Sequence, residues 1–324
     1  MSFVENKMSH EPTSLQEAIV YFSDSDNCID YIAIRRWPNG VICPSCGSTK
    51  VSQFNTKRRT WKCGSHHQKR EFSIKVGTIY EDSPIPLDKW LTATWMLTNC
   101  KNGVSSYEIA RDVKVSQKAA WFMLQRIRLA MQDEFFGSKL GRGPESEVEV
   151  DETFIGGKAR NMHKSQKIGK GYHHRGAINK TIVMGMLERG GKVRTKVVND
   201  REKETLHAHV SECIEEGTNV YSDEWGPYAG LGEKFAHQVI NHAEKYVDGR
   251  VHTNGLENFW SLLKRGLTGT YVSVEPFHLF RYLDEQMFRF NNRKNLDDAG
   301  RFDLAIRQIV GKRITFAQLT GKPN

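Results

Sequence analysis

Two short knuckles of candidate metal ligands constrain this chain more tightly than anything else in it. Cys43-Pro-Ser-Cys46-Gly is followed, sixteen residues later, by Cys63-Gly-Ser-His66-His67. Three thiolates and an imidazole can close a tetrahedral shell only if the intervening segment doubles back, so the spacing predicts a small hairpin-built ribbon around a structural Zn2+. Cys43, Cys46, Cys63 and His66 are the expected ligands. His66 keeps the two-residue spacing, and His67 beside it is the alternative. The segment from Phe54 to Trp61 reads as a basic, strand-like connection. Lys57, Arg58, Arg59, Lys62, Lys69 and Arg70 around it suit a nucleic-acid or protein contact, or equally a solvated basic surface. Cys28, Cys100 and Cys213 stand alone, which fits a reducing compartment with one metal site better than a disulfide framework.

With 47 Lys and Arg against 38 Asp and Glu, the net charge of +9 points to a polyanionic partner once the charge is localised. No apolar run approaches the roughly 18 residues of a membrane span. Met1 to Pro12 is polar and partly acidic, unlike a signal or mitochondrial presequence, so a cytoplasmic protein with no membrane partner is expected. Ahead of the ribbon, Leu15 to Trp37 carries short helical spacing. Beyond it, Pro84 to Met131 reads as helical throughout. Ser105-Ser106-Tyr107-Glu108 opens one helix as a capping box, and Lys114-Val115-Ser116 turns into a longer basic one. A short capped helix, a tight turn and a basic helix suggest helix-turn-helix organisation, with Gln117 and Lys118 at the start of the recognition helix. Helical pairs of this kind also occur without touching DNA.

Past a glycine-rich linker from Gly137 to Glu145 the grammar changes. Glu147-Val-Glu-Val-Asp151 alternates as a strand and is expected to deliver Asp151 at its end. From Gly157 to Lys180 the chain has seven Lys or Arg and no acid, a basic loop suited to phosphate, with Lys158, Lys167 and Lys170 as the candidates named. Thr181 to Leu187 and Lys192 to Val198 read as a hairpin around Arg189-Gly-Gly191. A helix from Arg201 to Glu216, a strand from Thr218 to Tyr221 with Asp223 just past it, and a strand at Val239-Ile240 follow. In His252 to Leu267, Leu256, Phe259, Trp260 and Leu263 make one buried stripe, while Asn254, Glu257, Ser261 and Lys264 share the opposite face. Asn254 and Glu257 could simply form a capping box.

Asp151, Asp223 and Glu257 each have such a local explanation. Together they sit on two strands and one helix of a mixed α/β region that can bring them close. Converging carboxylates repel unless hard divalent cations neutralise them. Two Mg2+ or Mn2+ ions, roughly 4 Å apart, would activate a water and stabilise the leaving oxygen of a phosphodiester.

The segments V-E-V-D-E-T-F-I-G-G, Y-S-D-E-W-G-P-Y and H-T-N-G-L-E-N-F-W-S-L-L-K-R-G, with R-Y-L-D-E-Q-M-F-R-F-N-N-R after them, resemble the DDE transposases of bacterial insertion sequences in the Merlin-like group. R-R-W-P-N-G-V-I-C-P-S-C-G and F-S-I-K-V-G-T-I-Y-E resemble that group's N-terminal zinc ribbon. The resemblance implies an RNase H-like mixed-sheet catalytic core, preceded by the ribbon and a helical, helix-turn-helix domain. It makes Asp151, Asp223 and Glu257 the catalytic metal ligands and Lys264 the basic residue two turns beyond the acid. Arg265 is taken as its neighbour on DNA, and Asn254 is a secondary candidate. The expected divisions are 1–80 for the N-terminal helices and ribbon, 81–140 for the helix-turn-helix region, and 141–324 for the catalytic domain with its C-terminal helices. The implied activity is metal-dependent phosphodiester hydrolysis and strand transfer on terminal inverted repeats and target DNA. A dimer or larger assembly on paired ends, in the nucleoid of a bacterial cytoplasm, is implied with it. A catalytically inactive DNA-binding regulator and a nuclease of RNase H type are the rival readings.

Overall fold

The computed structural model describes residues 11–132, 138–156, 180–223, 226–240 and 251–321, in two compact units. The first comprises residues 1–132 and 292–324, and the second residues 133–291.

In the first unit, α1 (Leu15–Phe22) and α2 (Ser25–Arg36) begin at Ser14 and Asp24, whose side chains accept from backbone N–H groups of the first turn. The ribbon follows, with β1 (Trp61–Lys62) paired antiparallel to β2 (Glu71–Phe72). The stretch expected to be strand-like ahead of β1 is instead a tight turn, in which Asn55 and Thr60 bridge and Arg59 has φ of 53°. Then come α3 (Leu87–Asn99), α4 (Ser106–Asp112) and α5 (Gln117–Ala130). Ser105 and Ser116 cap the last two, and Lys114 in the left-handed region makes the turn between them. The chain returns to this unit at its end. Phe302, on α9 (Asp298–Arg307), packs against Phe22, Tyr31 and Trp95 at ring separations of 4.9 to 5.7 Å. Arg35 pairs with Asp303, and Asn99 donates to the Asp298 carbonyl. Residues 292–321, which the sequence divisions assigned to 141–324, therefore belong with the N-terminal helices, because the aromatic faces on both segments bury each other.

The second unit is built on a mixed sheet. Its strands among the described residues are β3 (Glu147–Ile155), β4 (Thr181–Glu188), β5 (Val193–Val198), β6 (Asn219–Asp223) and β7 (Ala236–Ile240), in the order β5-β4-β3-β6-β7. The first three pair antiparallel, while β6 and β7 run parallel to β3, the arrangement expected of an RNase H-like core. Alternation along the strands sends successive side chains to opposite faces. On one face Val148, Val150, Met184 and Met186 pack with Leu206 and Val210 of α6 (Lys203–Cys213). On the other, Val183 and Leu187 pack with Leu256, Phe259, Trp260 and Leu263 of α7 (Asn254–Gly269), and with α8 (Leu279–Asn292). The buried stripe read from the sequence is thus the stripe that docks α7.

Candidate active site

Asp151 lies in the middle of β3, not at its end as its sequence position suggested, because β3 pairs with β4 as far as Ile155. Asp223 is the last residue of β6. The parallel register of β3 with β6 ends at Glu149 and Tyr221, and Asp151 and Asp223 each lie two residues beyond that last pair, on the same face of neighbouring strands. That face is the one α7 covers, and Glu257 comes from the first turn of α7.

Trp260 anchors this meeting. Its indole N–H donates to Asp151 Oδ2 at 2.9 Å, and the Glu152 amide donates to Asp151 Oδ1 at 2.8 Å. The indole fits because residue 185, opposite Asp151 in the ladder, is glycine: a Cβ there would stand 2.5 Å from the ring. Gly185→Ala is accordingly expected to lower stability by about 1–3 kcal/mol, the usual cost of overpacking, and to disturb Asp151 as well. Thermal unfolding and activity measured on the same preparation check both.

Burial and neighbouring charge act on Asp151 and Glu152. Burial pushes the Asp151 carboxyl up to about 6, and the charges of Asp223 and Glu257 add to that rise against the opposing Trp260 bond. Glu152 is pushed up to about 8 by burial and by Asp151 and Asp223, and one of its oxygens is buried without a hydrogen-bond partner. Glu152 points to the opposite face of β3 from Asp151, the face on which its ladder partner Met184 packs. Asp151 keeps two donors, and Glu257 stays exposed at the edge of this cluster of acids. A raised carboxyl holds its proton more tightly folded than unfolded. The metal-free protein therefore loses stability as pH climbs from the ordinary values of 3.8 and 4.5 through the raised values of about 6 and about 8. Mg2+ is expected to raise the melting temperature more at about pH 9 than at about pH 5, because binding must first displace those protons.

The capping-box alternative for Asn254 and Glu257 does not form. Thr253 is the N-cap and makes no side-chain cap bond, and Asn254 is the first helical residue. The α7 terminus is instead met by the sheet, where Glu149 Oε2 accepts from the Leu256 N–H at 3.0 Å. Asn254, Glu257, Ser261, Lys264 and Arg265 are all exposed along α7, as the polar face predicted. Gln117 and Lys118 are exposed at the start of α5, in the other unit, where Gln117 donates to Ser106 and the Lys118 ammonium lies over the Phe316 ring. Lys158, Lys167 and Lys170 lie outside the described residues.

The zinc centre needs one correction. Cys43, Cys46 and Cys63 are joined by His67, not His66, with all four ligand atoms within 4.8 Å of one another. The backbone turns after Cys63 so that His66 is exposed and His67 points inward. Cys46 and Cys63 Sγ are 3.7 Å apart, and Cys43 Sγ lies 3.4 Å from His67 Nε2. A tetrahedron with Zn–S near 2.3 Å and Zn–N near 2.0 Å has edges of about 3.8 and 3.5 Å, so the group fits a structural zinc. The other ring nitrogen, Nδ1, lies 2.6 Å from the Gln68 carbonyl oxygen. Donation there fixes the tautomer that leaves Nε2 free to ligate.

Comparison with known proteins agrees with this organisation. Residues 143–291 match the ISXO2-like transposase domain, and residues 23–67 match the transposase zinc-ribbon domain, ending on His67. A Halobacterium salinarum protein described as an uncharacterized protein in transposable element ISH50 is 27% identical over 256 residues, covering 76% of this chain and 84% of that protein. A cryo-EM structure of the simian T-cell lymphotropic virus intasome in complex with PP2A regulatory subunit B56 gamma covers 69% of each chain at 12% identity. Its TM-score of 0.24 is too low to bear on this fold. Among the described residues no helix is long and apolar enough to cross a membrane. With a zinc-ribbon match ahead of a transposase-domain match that spans the whole mixed sheet and the helix facing it, the chain belongs to the IS1595 family of transposases.

Proposed function

We propose that the chain is a DDE transposase in which Asp151, Asp223 and Glu257 hold divalent cations and carry out hydrolysis and strand transfer at DNA ends. The observation that carries this reading is the placing of the three acids, far apart in sequence, on one face: Asp151 and Asp223 on neighbouring strands and Glu257 on the helix whose Trp260 bonds Asp151, with both other acids adding to the rise that burial gives Asp151. Bound among them, Mg2+ or Mn2+ would supply Lewis acidity for an attacking water or 3′-hydroxyl and for the leaving oxygen. The chain's own residues orient and exclude. Trp260 fixes the rotamer of Asp151 and walls off its inner side, and Glu257 faces outward from the first turn of α7. Lys264 lies two turns further along the same exposed face, with Arg265 beside it, placed to take backbone phosphates. No covalent enzyme intermediate is needed, since the nucleophile is water in one step and a DNA hydroxyl in the next.

End recognition falls to the first unit in this reading. Tyr107, Lys114, Gln117 and Lys118 are exposed around the turn between α4 and α5, which suits a helix start entering a major groove. Incubating the zinc-loaded protein and Mg2+ with duplex DNA taken from the sequence flanking the coding region tests the proposal. Joined products are the expected result. Cleavage without joining indicates a nuclease, and binding without cleavage indicates a regulator.

A further inference from the structure

One buried acid near the site has no part in the chemistry above. Glu149, 1% exposed, lies two residues before Asp151 on the same face of β3. Its carboxylate accepts from two directions. Oε2 takes the Leu256 N–H at 3.0 Å, at the opening of α7, and Oε1 takes the Arg189 Nε–H at 2.9 Å. Arg189 also donates to the His252 carbonyl at 2.8 Å, just ahead of α7, and lies 3.4 Å from Glu147. His252 Nδ1 is 3.4 Å from Glu149 Oε1. One carboxylate thus ties the strand bearing Asp151, the hairpin end bearing Arg189 and the first turn of the helix bearing Glu257.

The fit is tight on both sides. A Cβ at residue 255 would stand 2.7 Å from Glu149 Oε2 and 2.5 Å from Leu187, so Gly255 lets the helix terminus approach the carboxylate. A buried anion at a helix N-terminus is favoured by the exposed N–H groups and by the helix dipole. Here it takes the place of the absent side-chain cap at Thr253.

We propose that Glu149 is a positioning residue: by clamping the α7 N-terminus to β3 through Leu256 and Arg189, it sets the separation of Glu257 from Asp151 and so the affinity of the site for divalent cations. The inference rests on the catalytic reading of Asp151, Asp223 and Glu257. In Glu149→Gln the amide can accept only through its single oxygen, so either Leu256 or Arg189 loses its acceptor. Outer partners of metal ligands typically change affinity or activity by about 10–100-fold. Glu149→Gln is therefore expected to weaken Mn2+ binding in calorimetry by about tenfold or more. Hydrogen exchange at the Leu256 and Glu257 amides should accelerate, kcat for cleavage should fall, and affinity for the flanking-DNA duplex should be unchanged. Gly255→Ala, which leaves Glu149 in place but pushes the helix off it, should give the same pattern.

A variant that keeps wild-type Mn2+ affinity overturns the proposal. So does one whose losses track only the folded fraction, with DNA binding and kcat per folded molecule moving together. If Asp151→Asn also leaves Mn2+ binding unchanged, the catalytic reading itself fails. If Asp151→Asn abolishes binding while Glu149→Gln does not change it, only the role of Glu149 fails.

Discussion

Asp151→Asn is expected to reduce DNA cleavage by about 10³-fold or more, the scale on which removal of one essential member of a catalytic constellation acts. The substitution is nearly isosteric and keeps an oxygen able to accept from Trp260 or from the Glu152 amide, the two bonds that hold the side chain now. What it removes is charge. At neutral pH a carboxyl raised to about 6 is mostly ionised, and a divalent cation binding it selects the ionised form outright. The amide cannot replace that charge, and the fold gains slightly, because a buried anion is relieved of its repulsion with Asp223 and Glu257. The expected signature is an unchanged or higher melting temperature without metal, unchanged DNA binding, and cleavage at background in Mg2+. Gel-based cleavage assays with matched thermal unfolding measure it. Wild-type cleavage by the variant removes Asp151 from the chemistry.

His67→Ala is expected to lose zinc and unfold the ribbon, while His66→Ala keeps one zinc per chain. The ribbon has little regular structure among its described residues. Its strands are two residues each, and its aromatic contacts amount to Phe54, Trp61 and Phe72 with Trp37. A structural zinc contributes an apparent 10–16 kcal/mol or so in small folds of this kind, far more than such a cluster can. Loss of one of four ligands leaves three thiolates sharing an incomplete shell. Zinc content by elemental analysis, with proteolysis of the Val51 to Phe72 region as the structural readout, separates the two histidines. Retention of zinc by His67→Ala, with loss in His66→Ala, reverses the assignment made here.

These expectations also show what the amino-acid order could convey. The apolar stripe of α7, the hairpin after residue 180 and the two knuckles were legible because each is a local pattern whose period or spacing leaves one geometry. The fourth ligand, after Cys63, was not, since adjacent histidines differ only in which way a short loop turns. Asp151 looked terminal because the hydrophobic alternation stops there. Pairing with β4 carries β3 four residues further, through a stretch whose residues take no regular pattern. The return of Phe302 to Phe22 and Trp95 depends on contacts some 200 to 280 residues apart in the chain, which no local signal encodes. Glu149 was hidden for the opposite reason. An inward-facing acid in V-E-V-D is visible in the alternation, but its partner is a backbone amide more than a hundred residues away.

The helix terminus shows how the two levels interact. Asn254 and Glu257 have capping-box spacing, and an isolated peptide could use it. In the folded chain Glu149 takes the capping task, so Glu257 stays exposed on the polar face of its helix. Tertiary structure thereby leaves exposed a side chain that local structure would otherwise occupy.

Calorimetric titration of Mn2+ into the zinc-loaded protein, wild type beside Asp151→Asn, Asp223→Asn and Glu257→Gln, tests the acid site most directly. Saturable binding in the wild type, weakened about tenfold or more by each substitution, is the result the site predicts. Equal affinity in all four proteins would contradict it, and would leave the three carboxylates as neighbours without a shared ion.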